Sequence, residues 1–307
     1  MVRFGVHTGL QNCGIDELRA LWRHVEELGF EWISIWDHFY SADATIRDGK
    51  IESGSVCLEA VSAHAALACD TETVRCGSLV YSVGYRHPAV LANAIATIDH
   101  LSHGRADLGL GAGWHQAEYD AYGIPFPAAG VRLRQVDEAI QCVRLLLTEE
   151  SADFEGEFFR LEDARCDPKP VQDRLPLWIG GAGEQVTLRI AARHADGWNV
   201  PFLAPDVYAH KVQVLEQHCA DVGRDPSTLM RSVNLTTAKD DADLEQRFGG
   251  TAPYIKRSAL MGSPQEMADR IAVYRDAGAD GINLGLRAPF DLAALDSFAA
   301  DVLPLVA

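Results

Sequence analysis

The chain has 307 residues, of which 48% are hydrophobic and 23% charged, and a formal net charge of −17 at pH 7. That length accommodates two ordinary domains or one α/β barrel, which runs to roughly 250 residues before insertions, and the composition is that of a globular protein with a large core. The acidic balance argues against a nucleic-acid partner, which needs a basic surface, and no run approaches the roughly 18 apolar residues that span a bilayer, so no membrane association is expected.

The opening MVRFGVHT reads as a strand, with no charged-then-apolar leader before it. The cysteines at 13, 57, 69, 76, 142, 166 and 219 are odd in number and form no CxxC pair. They read as reduced thiols of a cytoplasmic protein.

Strands are predicted near 3–8, 31–36, 74–80, 106–111, 176–179, 196–200, 229–235 and 281–285. The first helix shows the pattern that follows each of them: Ile15, Leu18, Trp22, Val25 and Leu28 recur at three- and four-residue spacing, and Gly29 suits its end. Further helices are predicted near 55–69, 88–101, 131–147, 184–194, 205–222, 264–277 and 291–304. Eight βα units favour a closed (β/α)8 TIM barrel over an open doubly wound sheet, which normally shows fewer units. No linker, low-complexity tract or charge block interrupts the chain, so residues 1–307 are read as a single domain. Two segments exceed ordinary loop lengths, 37–54 after strand two and 148–175 after strand four, and are read as insertions of the kind that form lids.

A barrel places its chemistry at the C-terminal rim of the strands. The residues that follow each predicted strand are His7 and Gln11; Asp37, His38 and Phe39; Ser78, Leu79 and Tyr81; Gly113, Trp114 and His115; Gly180, Gly181, Ala182 and Gly183; Trp198 and Asn199. That rim is apolar and aromatic, which suits a large flat ligand better than a small phosphorylated sugar. The most informative stretch is GRADLGLGAGWHQAEYDAYGIPFP at 104–127, where a strand turns glycine-rich and then aromatic and titratable. Its glycines at 109, 111 and 113 are read as places where no Cβ separates backbone from ligand. A second glycine turn, IGGAGE at 179–184, leads into a helix whose free N–H groups and positive dipole end make a phosphate seat. Glu184 would repel a phosphate if it faced inward, so it is expected to cap that helix.

Among the histidines, His7 and His64 read as packing residues, His87 as the cap of the helix at Pro88, and His100 and His103 as the far end of that helix. His38, at a strand end beside Asp37, is the functional candidate. Trp36 and Trp198 are candidates for the core, while Trp114 and Asn199 stand evenly between core and site. No metal is expected, because no His-x-His or His-x-x-x-Asp cluster falls on a predicted strand. Lys169, Lys211 and Lys239 fall in loop or helical contexts, against Schiff-base chemistry. A non-catalytic binding barrel stays open.

WDHF at 36–39, YRHP at 85–88, GRADLGLGAGW at 104–114 with EYDAYGIPFP at 118–127, and PLWIGGAGEQVTLRIAARHADGWN at 176–199 resemble the luciferase-like monooxygenase superfamily, above all its coenzyme F420-dependent oxidoreductase branch. AGVRLRQVDEAI at 129–140 and YAHKVQVLEQHCADVGRDP at 208–226 resemble an actinobacterial group within it. The resemblance implies that Asp37 and His38 lie against the deazaflavin ring, with His38 handling a proton, and that a non-proline cis peptide links Ser78 to Leu79. It also implies cofactor contacts at Ala112, Gly113 and Trp114, and a seat for the phosphate-bearing tail at Gly180, Gly181, Gly183 and Glu184. With the rim residues Tyr81, His115 and Asn199 these make the expected cofactor site, and His38 and Asp37 are the expected catalytic residues. Arg132 and Arg134 are either solvated helix charges or contacts of the acidic tail. The F420 sugar dehydrogenases carry a catalytic glutamate where Trp114 stands, which speaks against sugar oxidation here. The implied reaction is hydride transfer between C5 of reduced F420 and a C=C or C=N bond of a small molecule, or the reverse, in a homodimer. The substrate pocket is expected from the 37–54 loop and the insertion. The nearest rival is an FMN-dependent monooxygenase using reduced flavin and oxygen.

Overall fold

Strands buried on both faces belong to a parallel sheet covered by helices, and that is how the predicted strands pack. A computed structural model describes residues 2–41, 46–47, 50–51 and 56–306. Its principal strands are β1 (Arg3–Thr8), β2 (Trp32–Ile35), β3 (Arg75–Ser78), β4 (Ala106–Gly111), β5 (Leu177–Gly180), β6 (Gly197–Pro201), β7 (Met230–Leu235) and β8 (Gly281–Leu286). They pair in parallel in chain order, β4 lies against β5, and β8 returns to β1, closing the (β/α)8 barrel. Their bounds match the predicted ones to within two residues.

Outside the barrel pack Ile15–Glu27, Ala60–Asp70, Pro88–Leu101, Ala129–Thr148, Thr187–His194, Pro205–Asp221, Pro264–Asp276 and a helical run over 292–306. None of the described helices is long and apolar enough to cross a membrane. The helix expected from residue 55 begins at Ala60, where the Glu59 carboxylate accepts the N–H groups of Val61 and Ser62 at 3.1 and 2.7 Å. The helix expected from 184 begins at Thr187, because the Glu184 carboxylate is drawn to Lys211 Nζ at 2.6 Å and His210 at 3.1 Å and caps nothing. His87 does cap its helix, accepting from the Ala89 N–H at 3.2 Å.

Among the described residues the longest elements that escape the sequence reading are the helices Gln116–Tyr122, Asp241–Phe248 and Ala252–Lys256, and the hairpin of Ala152–Glu155 with Arg160–Ala164. Each is too short for its periodicity to stand out. The hairpin occupies the predicted insertion and is fastened to Ala129–Thr148 by Glu138, whose carboxylate accepts the N–H groups of Glu157, Phe158 and Phe159. The 37–54 loop contains a small hairpin of Ile46–Arg47 with Lys50–Ile51. Its residues 42–45, 48–49 and 52–54 lie outside the described residues.

The chain leaves β3 through a cis peptide between Leu79 and Val80, one bond later than the resemblance places it. The Leu79 N–H still belongs to the sheet ladder, donating to the Ile35 carbonyl at 2.8 Å, so the departure follows Leu79. Val80 then fills the space that side chains on Gly109, Gly111 and Gly180 would need. Those glycines make room for the protein's own valine.

Gly109→Ala tests this packing, because the new methyl would meet the Ser78 carbonyl oxygen, which moves only with β3 itself. A loss of about 1–3 kcal/mol is expected, read as a lower urea midpoint with unchanged slope. An unchanged midpoint would show that β3 and β4 stand farther apart.

Candidate active site

The C-terminal ends of the strands surround a cavity of about 410 Å³. Its floor is polar but uncharged. His7, from β1, is buried with Nδ1 2.9 Å from the Ser34 hydroxyl, and burial lowers its pKa to about 3, so the ring is neutral near pH 7. Asn199, from β6, donates to the Ser232 hydroxyl at 2.8 Å and to the Asn234 carbonyl at 2.9 Å. Leu79, Val80, Gly111, Ala112, Gly180 and Gly181 form one wall, Trp36 lies 5.0 Å from the His7 ring, and Tyr85, Trp114, Leu133, Phe202, Phe248 and Arg287 surround the mouth.

The loop after β2 brings Asp37 and His38 to the rim, with separate partners. Asp37 is buried; its carboxylate receives both guanidinium nitrogens of Arg86, at 2.7 and 3.1 Å, and the Ser82 N–H at 3.0 Å. His38 turns the other way, placing Nδ1 on Oε1 of Glu118, a side chain with no solvent exposure. The same oxygen lies 2.8 Å from Nδ1 of His115, and Oε2 accepts the N–H groups of Phe39 and Tyr40 at 2.5 and 3.3 Å. Burial alone would raise the Glu118 carboxyl, but the His38 contact, the Phe39 N–H and the His115 contact outweigh it and hold the group below the usual carboxylate range. Trp114 stacks on His115 at 5.0 Å and meets the edge of His38 at 5.5 Å.

Across the cavity, Thr187 lines the wall where its helix begins, with no side-chain cap and no acidic residue in its first turn. The Leu188 N–H donates to the Gly183 carbonyl at 3.0 Å; the remaining backbone N–H groups at such a helix start attract an anion. Glu184 is held away from that opening by Lys211.

The luciferase-like monooxygenase family matches residues 1–258. The chain belongs to this family. It is 28% identical to an F420-dependent glucose-6-phosphate dehydrogenase of Intrasporangium calvum, over 99% of this chain and 98% of that one. It is 30% identical to the same enzyme of Microbacterium testaceum, over 90% and 89%. An uncharacterized protein of Mycobacterium tuberculosis is 33% identical over 66% of this chain and 69% of its own. In fold it is similar to an F420-dependent secondary alcohol dehydrogenase bound to an F420-acetone adduct, with TM-score 0.86 at 20% identity over 100% and 99% of the two chains. It is also similar to a coenzyme F420-dependent tetrahydromethanopterin reductase from Methanopyrus kandleri, with TM-score 0.81 at 20% identity over 100% and 99%. Within the luciferase-like family the chain is thus an enzyme of the F420-dependent oxidoreductase branch.

Of the residues of the expected cofactor site, Asp37, His38, Leu79, Ala112, Gly113, Trp114, Gly180, Gly181 and Asn199 line the cavity. Ser78 lies behind the wall, its hydroxyl 3.4 Å from the Gly109 carbonyl. Tyr81 points into the core and binds His64 at 3.0 Å, His115 backs His38 without lining the cavity, and Gly183 and Glu184 stand outside it. Asp37, expected to work with His38, serves Arg86 instead. A Cβ on Gly113, at φ +70, would meet the Tyr119 hydroxyl, so this position on the cavity has no room for a side chain. Of the two helix arginines, Arg134 pairs with Glu157 at 3.0 Å, while Arg132 binds the Ala112 carbonyl at 3.2 Å and covers the Phe126 ring at 3.8 Å. No residue of the insertion 148–175 lines the cavity. Phe202 and Phe248 take that place, because the segment after β7 carries its own apolar cluster of Leu244, Phe248, Ala252 and Ile255 over the barrel.

Sequence reasoning missed Glu118, Arg86 and Val80, although the quoted motifs contain the first two. The signal for Glu118 was its i, i+3 spacing from His115, which becomes a contact at the start of a helix. His38, His115 and Glu118 also form the one metal-capable group among the described residues, although the sequence shows no metal spacing; their ligand atoms are engaged with one another.

The buried neutral imidazoles carry a pH signature. His7 and His64 have pKa values lowered by burial from 6.5 to about 3 and about 4. Below 6.5 the unfolded chain takes up protons that the fold refuses, so stability is complete above pH 6.5 and falls with pH by about 1.4 kcal/mol per unit for each histidine. Urea unfolding at pH 7 and pH 5 measures the loss, and His64→Gln should flatten it. An equal slope in the variant would show that His64 is charged in the fold.

Proposed function

We propose that this enzyme transfers hydride between reduced coenzyme F420 and a small organic molecule, reducing a C=C or C=N bond or running the reverse, with His38 as the proton donor. The observation that carries the reading is a carboxylate-backed imidazole on a largely aromatic and apolar cavity that also includes the start of the Thr187 helix, which has no side-chain cap. A flat, phosphate-bearing cofactor fits that arrangement. Leu79, Ala112, Gly113, Trp114, Gly180, Gly181 and Asn199 line space for its ring, and the Thr187 helix start suits its phosphate. The cofactor supplies the hydride; the protein excludes water, orients the acceptor and supplies the proton.

The proton step follows from charge balance. Hydride arriving at one atom of a C=C or C=N bond leaves an electron pair on the other, and a proton passes from His38 to that atom; solvent then reprotonates the ring. The neutral floor of His7, Asn199 and Asn234 offers no competing charge. The aromatic mouth and Trp114 favour an uncharged apolar substrate over glucose 6-phosphate. The same reading takes residues 1–307 as one domain and the enzyme as a cytoplasmic homodimer.

Titration of the purified protein with F420 and with FMN is the first test. Binding of F420 is expected, whereas tight FMN binding with none for F420 would identify an FMN-dependent monooxygenase instead. His38→Ala should keep the F420 Kd within a few-fold and lower kcat by about 10²–10⁴, the span of a lost general acid. An unchanged kcat removes His38 from the reaction. Sedimentation at micromolar concentration checks the dimer, and a lone monomer boundary overturns that part.

A further inference from the structure

We propose that Glu118 is the positioning residue of this site, holding His38 and His115 by their Nδ1–H groups so that His38 exchanges its proton only through Nε2. The inference rests on the reading of His38 as the donor.

The contacts of the Glu118 carboxylate carry the argument. An ionised carboxylate accepts only, with about four lone-pair sites on its two oxygens. Among the described residues the Phe39 and Tyr40 N–H groups bind Oε2 and the Nδ1 atoms of His38 and His115 bind Oε1, and the Tyr85 hydroxyl also acts on this carboxylate. Both backbone groups can only donate, so Oε2 carries no proton. A proton on Oε1 would be donated to one imidazole and leave that oxygen a much poorer acceptor for the other. All four contacts are strongest together when the carboxylate is charged and each Nδ1 carries hydrogen, and the same contacts hold the Glu118 carboxyl below the usual range. Full burial makes this satisfaction necessary, since an unpaired buried charge is costly.

The consequence for His38 is a fixed tautomer. With Nδ1–H committed to Glu118, Nε2 is the acceptor of the neutral ring and the donor of the charged one. Trp114, stacked on His115 and against the edge of His38, holds the ring orientation. Asp37, the sequence neighbour, takes no part, because Arg86 occupies its carboxylate.

Imidazole ¹⁵N NMR of the full-length protein, without cofactor and at a pH where the rings are neutral, reads the tautomers directly. Both His38 and His115 are expected as Nδ1–H; a wild-type His38 found as Nε2–H overturns the proposal, whether or not any variant folds. In Glu118→Gln the amide cannot accept from all four donors, so His38 should lose its single tautomer. With F420 bound within a few-fold of the wild-type Kd, kcat of this variant should fall by about 10²–10⁴, the loss that follows when a catalytic imidazole is left in the wrong tautomer. The double variant with His38→Ala should be no slower than His38→Ala alone, since Glu118 acts through that ring. A further loss in the double variant would assign Glu118 a separate role and overturn the inference. The NMR result does not depend on F420, so a failed cofactor reading and a failed Glu118 assignment are told apart.

Discussion

Closing eight strands into a barrel brings the ends of β3, β4 and β5 together, and the site depends on how that junction is filled. Val80 occupies it, and the chain tolerates a branched side chain there only because Gly109, Gly111 and Gly180 present none. Packing in protein interiors leaves little slack. The wall of the cavity is therefore set by a valine and three absent side chains. From that wall the chain continues to Ser82 and Arg86, which reach back to Asp37 and anchor the loop after β2. The rim that carries His38 is thus held by the segment that shapes the wall.

Charge at the rim is arranged in closed sets. Asp37 and Arg86 satisfy each other, Glu118 is shared among two imidazoles and two N–H groups, and Glu184 is drawn off by Lys211. A buried charge left without partners is strongly unfavourable, and these contacts keep the site ordered. His7 follows the same logic by staying neutral. What remains for chemistry is the His38 ring edge beside a cavity with a neutral polar floor and an aromatic mouth. That economy suits a cofactor that brings its own reducing power.

The segment after β7 explains why the mouth is aromatic. Asp241–Phe248 and Ala252–Lys256 bury Leu244, Ala252 and Ile255 against one another and present Phe248 to Phe202 and to the Arg287 guanidinium, 5.0 Å above its ring. The hairpin within 148–175, which length alone marks as a lid, is tied to Ala129–Thr148 through Glu138 and stays on the outside of the barrel. Loop length located an insertion but not the element that covers the site.

The sequence by itself determined the eight-fold alternation, the strand bounds and the strand-end positions of Asp37, His38, Gly113, Trp114 and Gly181, because hydrophobic periodicity and glycine placement are local properties. It also carried the family, through motifs that keep their order along the chain. Only the tertiary structure decided which carboxylate meets His38, since Asp37 is adjacent in sequence and Glu118 is 80 positions away. It decided likewise that Tyr81 faces His64 rather than the cavity, that the glycines receive Val80 and Tyr119, and that Phe248 reaches the mouth. Direction of a side chain at a strand end depends on the neighbour across the barrel, and that neighbour is supplied by closure. Periodicity registers which residues are buried; it holds no information about what they are buried against.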